Sequence, residues 1–308
     1  MVRFPAREEV LEAERRIRPY LAPTPLVESP ALAPGALLKL ETFQPTGSFK
    51  VRGALAALTR LEPRERVVTA SAGNHALGVA WAATTLAVEA TVVVPETASP
   101  AKLAALERFP VELVRHGTAY DDAERHALAL TAEGRRYVSA YNDPDVIAGG
   151  GTLGTELPAE PLTIVCPIGG GGLCAGVALW ASTVPSVRVV GVEAAASQAV
   201  SAALTAGRVV PVQVGPTLAD GLAGNLEHGS VTVELIRAHV AEIVAVSEAE
   251  LEGAIRFLAR EHGLVAEGAG AAAAAALLAG KVEAGARAVA LVTGRNIEPK
   301  TLARVLTR

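Results

Sequence analysis

Apolar positions along this chain fall into two alternating patterns. Short runs rich in Val, Ile and Leu predict strands over residues 36–40, 66–70, 90–94, 111–115, 162–168, 187–193, 242–246 and 287–293. Longer Ala- and Leu-rich segments with helical spacing predict helices over 6–18, 49–61, 74–85, 100–109, 119–133, 173–182, 247–261 and 267–279. Near-continuous apolar strands such as Leu162, Thr163, Ile164, Val165 and Cys166 belong in sheets covered on both faces. Strand and helix alternate along nearly the whole chain, which predicts an α/β fold with open, parallel, doubly wound sheets. No internal repeat and no low-complexity linker divides it. In such sheets ligands lie beyond the carboxyl ends of strands, so the loops that follow strands are where chemistry is expected.

Composition narrows the possibilities. The chain has 308 residues, half of them hydrophobic, and a formal net charge of −4. That suffices for one large or two ordinary domains and excludes a disordered chain. A mildly acidic balance lacks the positive field of a nucleic-acid binder. The N-terminal 20 residues are charged throughout, so no signal peptide is expected, and the longest uncharged run, 268–280, is too short to span a bilayer. It reads as a buried helix. Cys166 and Cys174 form no CxxC pair and read as small buried hydrophobes of a reduced, cytoplasmic protein. The six histidines show no zinc spacing. Among 28 basic residues only five are Lys (39, 50, 102, 281 and 300), so a Lys inside a loop-to-helix motif stands out.

Three loops carry such motifs. In the first, Pro45 and Gly47 make a turn, Ser48 is a good N-cap, and Lys50 enters the first turn of a helix. The helix dipole disfavours a cation there and so favours a reactive amine; the plain alternative is a solvated Lys. In the second, Ser71, Ala72, Gly73, Asn74 and His75 lead from a strand into a helix. Small residues leave backbone N–H groups open to a carboxylate or phosphate. An ordinary capped turn, with His75 merely packed, explains that loop equally well. The third is Gly169, Gly170, Gly171 and Gly172, directly after an apolar strand. Four glycines have no packing use and let backbone wrap an anion, most naturally a phosphate. Gly170, Gly172 and Ala175, with Glu193 some 20 residues on, also fit a loose dinucleotide-binding pattern. A Rossmann NAD-dependent oxidoreductase is therefore the rival reading, although it leaves the Lys50 motif unexplained.

Together the three loops resemble the threonine dehydratase and serine racemase family of fold-type-II (tryptophan synthase β-like) pyridoxal-phosphate enzymes. The resemblance runs from Thr24 through Lys39, Glu41, residues 45–54, 71–75, 149–156, 167–173 and 217–222 to Thr293, Gly294, Arg295 and Asn296. It implies two α/β domains with the cofactor, pyridoxal 5'-phosphate, in the cleft between them. The large domain would comprise residues 1–64 and 142–308, and a small one would be inserted over 65–141. It implies that Lys50 holds the cofactor as a Schiff base, flanked by Phe49, and that Gly169, Gly170, Gly171, Gly172 and Leu173 bind its phosphate. Asn74 would meet the phenolic oxygen, and Thr293 the pyridine nitrogen. Ser71, Ala72, Gly73 and His75 would bind the substrate carboxylate. The implied activity is L-threonine and L-serine dehydration to 2-oxobutanoate or pyruvate and ammonium, by a homodimer or homotetramer acting on a hydroxy amino acid. A hydroxyl partner does not hold the pyridine nitrogen protonated, which suits prompt loss of a β-substituent.

Three departures refine this. Family racemases carry Ser where Ala72 stands, and a methyl group transfers no proton, so dehydration is favoured over racemisation. A racemase or a β-replacement enzyme such as a cysteine synthase remains the alternative within the fold, and a non-catalytic amino-acid-binding module lies outside it. Metal-activated relatives use a Glu, a carbonyl and an Asp; Glu193 and Ser197 match the first two, but Ala199 replaces the Asp. A divalent cation would thus find an incomplete site, and Glu193 reads equally as a solvated strand end. After Asn296 too few residues follow for a C-terminal regulatory domain, so none is expected.

Overall fold

The computed structural model describes residues 2–158, 160–285 and 287–307, and its strands form two separate sheets. The first stretch contains α1 (Arg7–Ile17), β1 (Leu26–Glu28), β2 (Leu37–Leu40), α2 (Lys50–Leu58), β3 (Arg66–Ala70) and α3 (Asn74–Leu86). Then come β4 (Ala90–Val94), α4 (Pro100–Leu106), β5 (Glu112–Arg115), α5 (Tyr120–Ala129), β6 (Arg135–Tyr137) and α6 (Pro144–Gly151). The remainder holds β7 (Leu162–Pro167), α7 (Gly172–Ala181), β8 (Val187–Ala194), α8 (Ala199–Ala206), α9 (Thr232–His239) and β9 (Glu242–Val246). It closes with α10 (Glu248–His262), α11 (Gly268–Leu278), β10 (Ala288–Val292) and α12 (Pro299–Leu306).

The six-stranded sheet has the order β1-β2-β10-β7-β8-β9, and the four-stranded sheet the order β5-β4-β3-β6. All pairings are parallel except β1 with β2. Each of the eight predicted strands is present to within a residue at either end. Two more were not expected, and each is an edge. β1 is three residues long after Pro25, and β6 carries two arginines, features that blunt an edge and hide it from a hydrophobicity pattern. Four helices were also missed, of which α6 ends in three glycines, a poor helix signal.

Alternation along the central strands divides the large core. Leu162, Ile164 and Cys166 of β7 face one layer with α1, α2, α6 and α7, whereas Val165 joins Val190, Val292 and the α10–α11 layer. Each such side chain contributes roughly 1.5–3 kcal/mol through burial. The uncharged run reads out as expected, with the α11 alanines fully buried. Both cysteines are buried and unbridged.

Helices α6 and α7 touch backbone to backbone. A Cβ on Gly176 would lie 2.1 Å from the Ile147 oxygen, and one on Gly151 2.6 Å from the Gly176 oxygen. Gly176→Ala is therefore expected to destabilise the fold by about 1–3 kcal/mol. Gly253→Ala, in open space within α10, should instead stabilise by about 0.5–1 kcal/mol. Urea-unfolding midpoints of the two variants should move in opposite directions.

Candidate active site

The loops after β2, β7 and β10, three adjacent strands, and the loop after β3 of the other sheet converge. The Phe49 N–H donates to the Thr293 oxygen at 3.0 Å, and Ser48 pairs with Gly294 across a single bridge. Arg295 N–H reaches the Gly47 oxygen at 2.9 Å. The turn that begins α2 is thus stitched to the end of β10. Ser48 does not act as the expected N-cap: Phe49 takes that position, and the Ser48 hydroxyl is buried without a partner.

Lys50 is the first residue of α2. Its Nζ donates to the Ala140 oxygen at 2.8 Å and lies 5.2 Å from the centre of the Phe49 ring. Burial pulls its pKa from 10.5 down to about 8, with the charge of Glu267 opposing. Desolvation thus does most of what the helix dipole was expected to do.

Asn74 opens α3, and its Nδ2 donates to Glu267 Oε1 at 2.7 Å while its Oδ1 accepts from Asn296 Nδ2 at 2.7 Å. Glu267 is the residue that sequence reasoning missed. It caps α11, is buried, and its N–H donates to the Gly294 oxygen at 3.1 Å. Burial and the neighbouring Asp220 lift its pKa to about 7, against the hydrogen bond from Asn74. A lone carboxylate at the start of a 13-residue uncharged run was the available signal.

In the second loop the Gly73 N–H donates to Ser71 Oγ at 3.1 Å, and Ala72 packs on the four-stranded sheet's own core. His75 turns away from that loop. It is 2% exposed, and its Nε2 meets the Val138 oxygen at 3.1 Å. Burial, then the nearby Lys50, holds its pKa down at about 3, so the ring is neutral and donates through Nε2. The side chain therefore packs, as the plain reading of that loop had it.

Gly169, Gly170, Gly171 and Gly172 pass from β7 into α7, with Gly171 at φ +89°. The view that they serve no packing purpose is overturned. A Cβ on Gly170 would meet the Tyr141 ring at 2.2 Å, and one on Gly172 the Tyr141 oxygen at 2.7 Å. The loop is pressed against its neighbours, and its backbone amides open at the N-terminus of α7 beside Leu173, a cradle of the right chemistry for a phosphate. The Thr293 hydroxyl, buried at the end of β10, makes only a long 3.4 Å bond to the Ala269 oxygen.

Glu193 lies apart from these groups. It is 1% exposed, and its carboxylate accepts from the Val200 N–H at 2.8 Å, the Ser201 N–H at 3.2 Å and the Ser201 hydroxyl. It caps α8, so it is neither a solvated strand end nor open to a cation, and it cannot grip a ribose as a Rossmann acid would. Among the described residues no group of three or more His, Cys, Asp or Glu is placed to hold a metal. No helix among them is long and apolar enough to cross a membrane.

Residues 17–294 match the sequence model of the family described as pyridoxal-phosphate dependent enzyme. An L-threonine ammonia-lyase of Thermotoga maritima is 39% identical over 98% of this chain and 78% of its own length. Among solved structures, a threonine deaminase from Solanum lycopersicum, isoform 2 in its processed form, is 30% identical with a TM-score of 0.88, covering 100% of this chain and 96% of that one. Maize serine racemase is 28% identical with a TM-score of 0.91, covering 99% and 98%.

Proposed function

We propose, from the premise that this chain belongs to the family of pyridoxal-phosphate-dependent enzymes, that it is an L-threonine and L-serine ammonia-lyase. The observation that carries the reading is the half-buried Lys50 amine, brought to a pKa of about 8 and held between the Ala140 oxygen and the charge of Glu267. The residues fit the cofactor. The glycine cradle, through Gly169, Gly170, Gly171, Gly172 and Leu173, would take its phosphate, Asn74 its phenolic oxygen and Thr293 its pyridine nitrogen. Lys50 would anchor it covalently, beside Phe49. When bound, pyridoxal phosphate withdraws electrons from the amino acid's Cα and makes the proton there labile.

The chain's own residues supply the rest. The Lys50 Nζ, once free, takes the Cα proton, because near neutral pH an appreciable fraction of an amine with this pKa is unprotonated. The Ala140 oxygen orients it. Ser71, Ala72 and Gly73, with the first amides of α3, face the substrate carboxylate. The β-hydroxyl leaves as water with the proton that Lys50 took from Cα and returns to it, and the released enamine takes up water to give the 2-oxo acid and ammonium. Ala72 supports elimination over racemisation, since a methyl group cannot return a proton to the second face. The similarity in shape to serine racemase does not weigh against this, because the distinction rests on that one side chain.

The same reading takes residues 65–141, which contain all four strands of the smaller sheet, as a small domain inserted into a large one. It includes a homodimer or homotetramer, with the two free buried cysteines supporting a reducing, cytoplasmic setting.

The purified, cofactor-loaded protein should convert L-threonine to 2-oxobutanoate and ammonium, with D-serine formed from L-serine at less than about one-hundredth of the elimination rate. Absence of the 2-oxo acid, or racemisation at a rate comparable with elimination, overturns the assignment. Introducing Ala72→Ser should raise D-serine formation.

A further inference from the structure

The crossing from β6 to α6, residues 138–142, is gripped from several sides. Its first carbonyl, on Val138, accepts from Thr69 Oγ1 at 2.8 Å and faces His75 Nε2 at 3.1 Å. The carbonyl of Ala140, two residues on, takes Lys50 Nζ. The Tyr141 ring lies against Gly170. From the opposite side comes Glu227, in the loop before α9. Its carboxylate accepts from Ser139 Oγ at 2.5 Å and from Asn142 Nδ2 at 3.0 Å. Its own N–H donates to the Tyr141 hydroxyl at 2.6 Å, and the Val231 N–H donates to Asn142 Oδ1 at 3.0 Å. Thr232, at the start of α9, hydrogen-bonds the Gly170 oxygen at 2.8 Å. Ser139 and Asn142 are both buried, which strengthens these bonds.

We propose that Glu227 is a positioning residue: it fixes residues 139–142 so that the Ala140 carbonyl orients the free Lys50 amine and the Tyr141 ring lies on the glycine loop. The proposal rests on the reading of Lys50 as the group that takes the Cα proton. It explains why one carboxylate meets a hydroxyl, an amide and, through its main chain, a phenol on three of four consecutive residues. A carboxylate that only stabilised the loop would not need the carbonyl between those residues to face Lys50.

The test exchanges donor and acceptor. Glu227→Gln replaces one accepting oxygen by an NH2 group, which must face either the Asn142 amide or the Ser139 hydroxyl, and Asn142→Asp sets two carboxylates face to face. Combined, they restore a donor–acceptor pair with its ends reversed, while Ser139 and the Val231 N–H keep their partners. In the full-length holoenzyme each single variant should lower kcat for threonine about tenfold with KM within about twofold, and the double variant should recover to within about threefold. A second readout needs no turnover. In the cofactor-stripped full chain, the pH midpoint for acetic-anhydride labelling of Lys50 should shift by about half a unit or more in the single variants and return in the double.

Unchanged labelling midpoints, or a double variant no better than the poorer single, overturn the proposal. Should the single variants not fold, Ser139→Ala removes the bond donated to Glu227 together with the one accepted from the Asn142 N–H, and leaves both carboxylate and amide in place. It should cost about threefold in kcat and move the labelling midpoint, and wild-type values for both overturn the proposal. If the wild-type enzyme forms no 2-oxo acid, the assigned activity fails, while the labelling experiment still decides the role of Glu227.

Discussion

Replacing Lys50 by arginine is expected to lower kcat for threonine by about 10³-fold or more, within the range lost when a positioned proton-transfer group is removed. Arginine keeps the charge but cannot give it up: a guanidinium stays protonated and makes no covalent bond to an aldehyde. The variant should therefore also lose the yellow colour that borohydride would bleach in the wild type. Removing the charge altogether should move stability the other way. The Lys50 pKa falls from 10.5 unfolded to about 8 folded, so between those values the unfolded chain binds more protons and stability rises with pH. Below about pH 8 the folded state carries the full cost of a buried cation. Lys50→Met removes that cost, and at pH 7 the cofactor-stripped variant should be more stable than the stripped wild type by up to about 3 kcal/mol. The gain should vanish by about pH 10.5. Urea unfolding at pH 7 and pH 10 tests this directly, and a variant less stable than wild type at both pH values would overturn the account of Lys50 as a strained amine.

Much of this site was legible before any coordinates. Lys50, Asn74 and the four glycines stand in loops that follow strands, and strands declare themselves through apolar runs, so sequence pattern and topology point to the same places. What escaped notice has a common cause. Glu267 and Glu227 are polar residues at loop ends, where a single sequence shows only a plausible cap or a solvated charge. Their meaning comes from partners 193 residues away at Asn74 and 88 residues away at Ser139. His75 and Glu193 failed in the opposite way. Both sit at motif positions, yet burial turned His75 onto the Val138 carbonyl and Glu193 onto a helix end. The glycine loop was read for its ligand alone, because the Tyr141 ring that also demands its bareness belongs to a segment with no pattern of its own.

The other large effect concerns Arg52, one half-turn beyond Lys50 and 1% exposed. Its guanidinium holds Glu41 through Nε and Nη2 at 2.7 and 2.8 Å, and Glu156 through Nη1 and Nη2 at 2.8 and 3.0 Å. Lys39 completes the group, donating to Glu156 at 2.6 Å and to the Thr24 oxygen at 2.6 Å. Arg52→Met should destabilise the fold by about 3–5 kcal/mol, because it leaves buried carboxylates without their main counter-charge. Arg52→Lys should fall between, since one ammonium cannot present two forks. The pH dependence gives the sharper check. Burial, the largest single influence, would raise the Glu41 pKa, but the charge and hydrogen bonds of Arg52, with help from Thr24 and Lys39, together outweigh it and hold the group below its usual 4.5. Wild-type stability from this pair is therefore present above about pH 4.5 and is lost as the pH falls further through the depressed folded value. Without Arg52, burial acts unopposed by that charge and the folded pKa rises, so the difference in stability between pH 7 and pH 4 should shrink. Adding Glu41→Gln to Arg52→Met removes one stranded charge and should recover a substantial part of the loss. A double variant no more stable than Arg52→Met would show that packing of the long side chain, rather than its charge, is what α2 depends on.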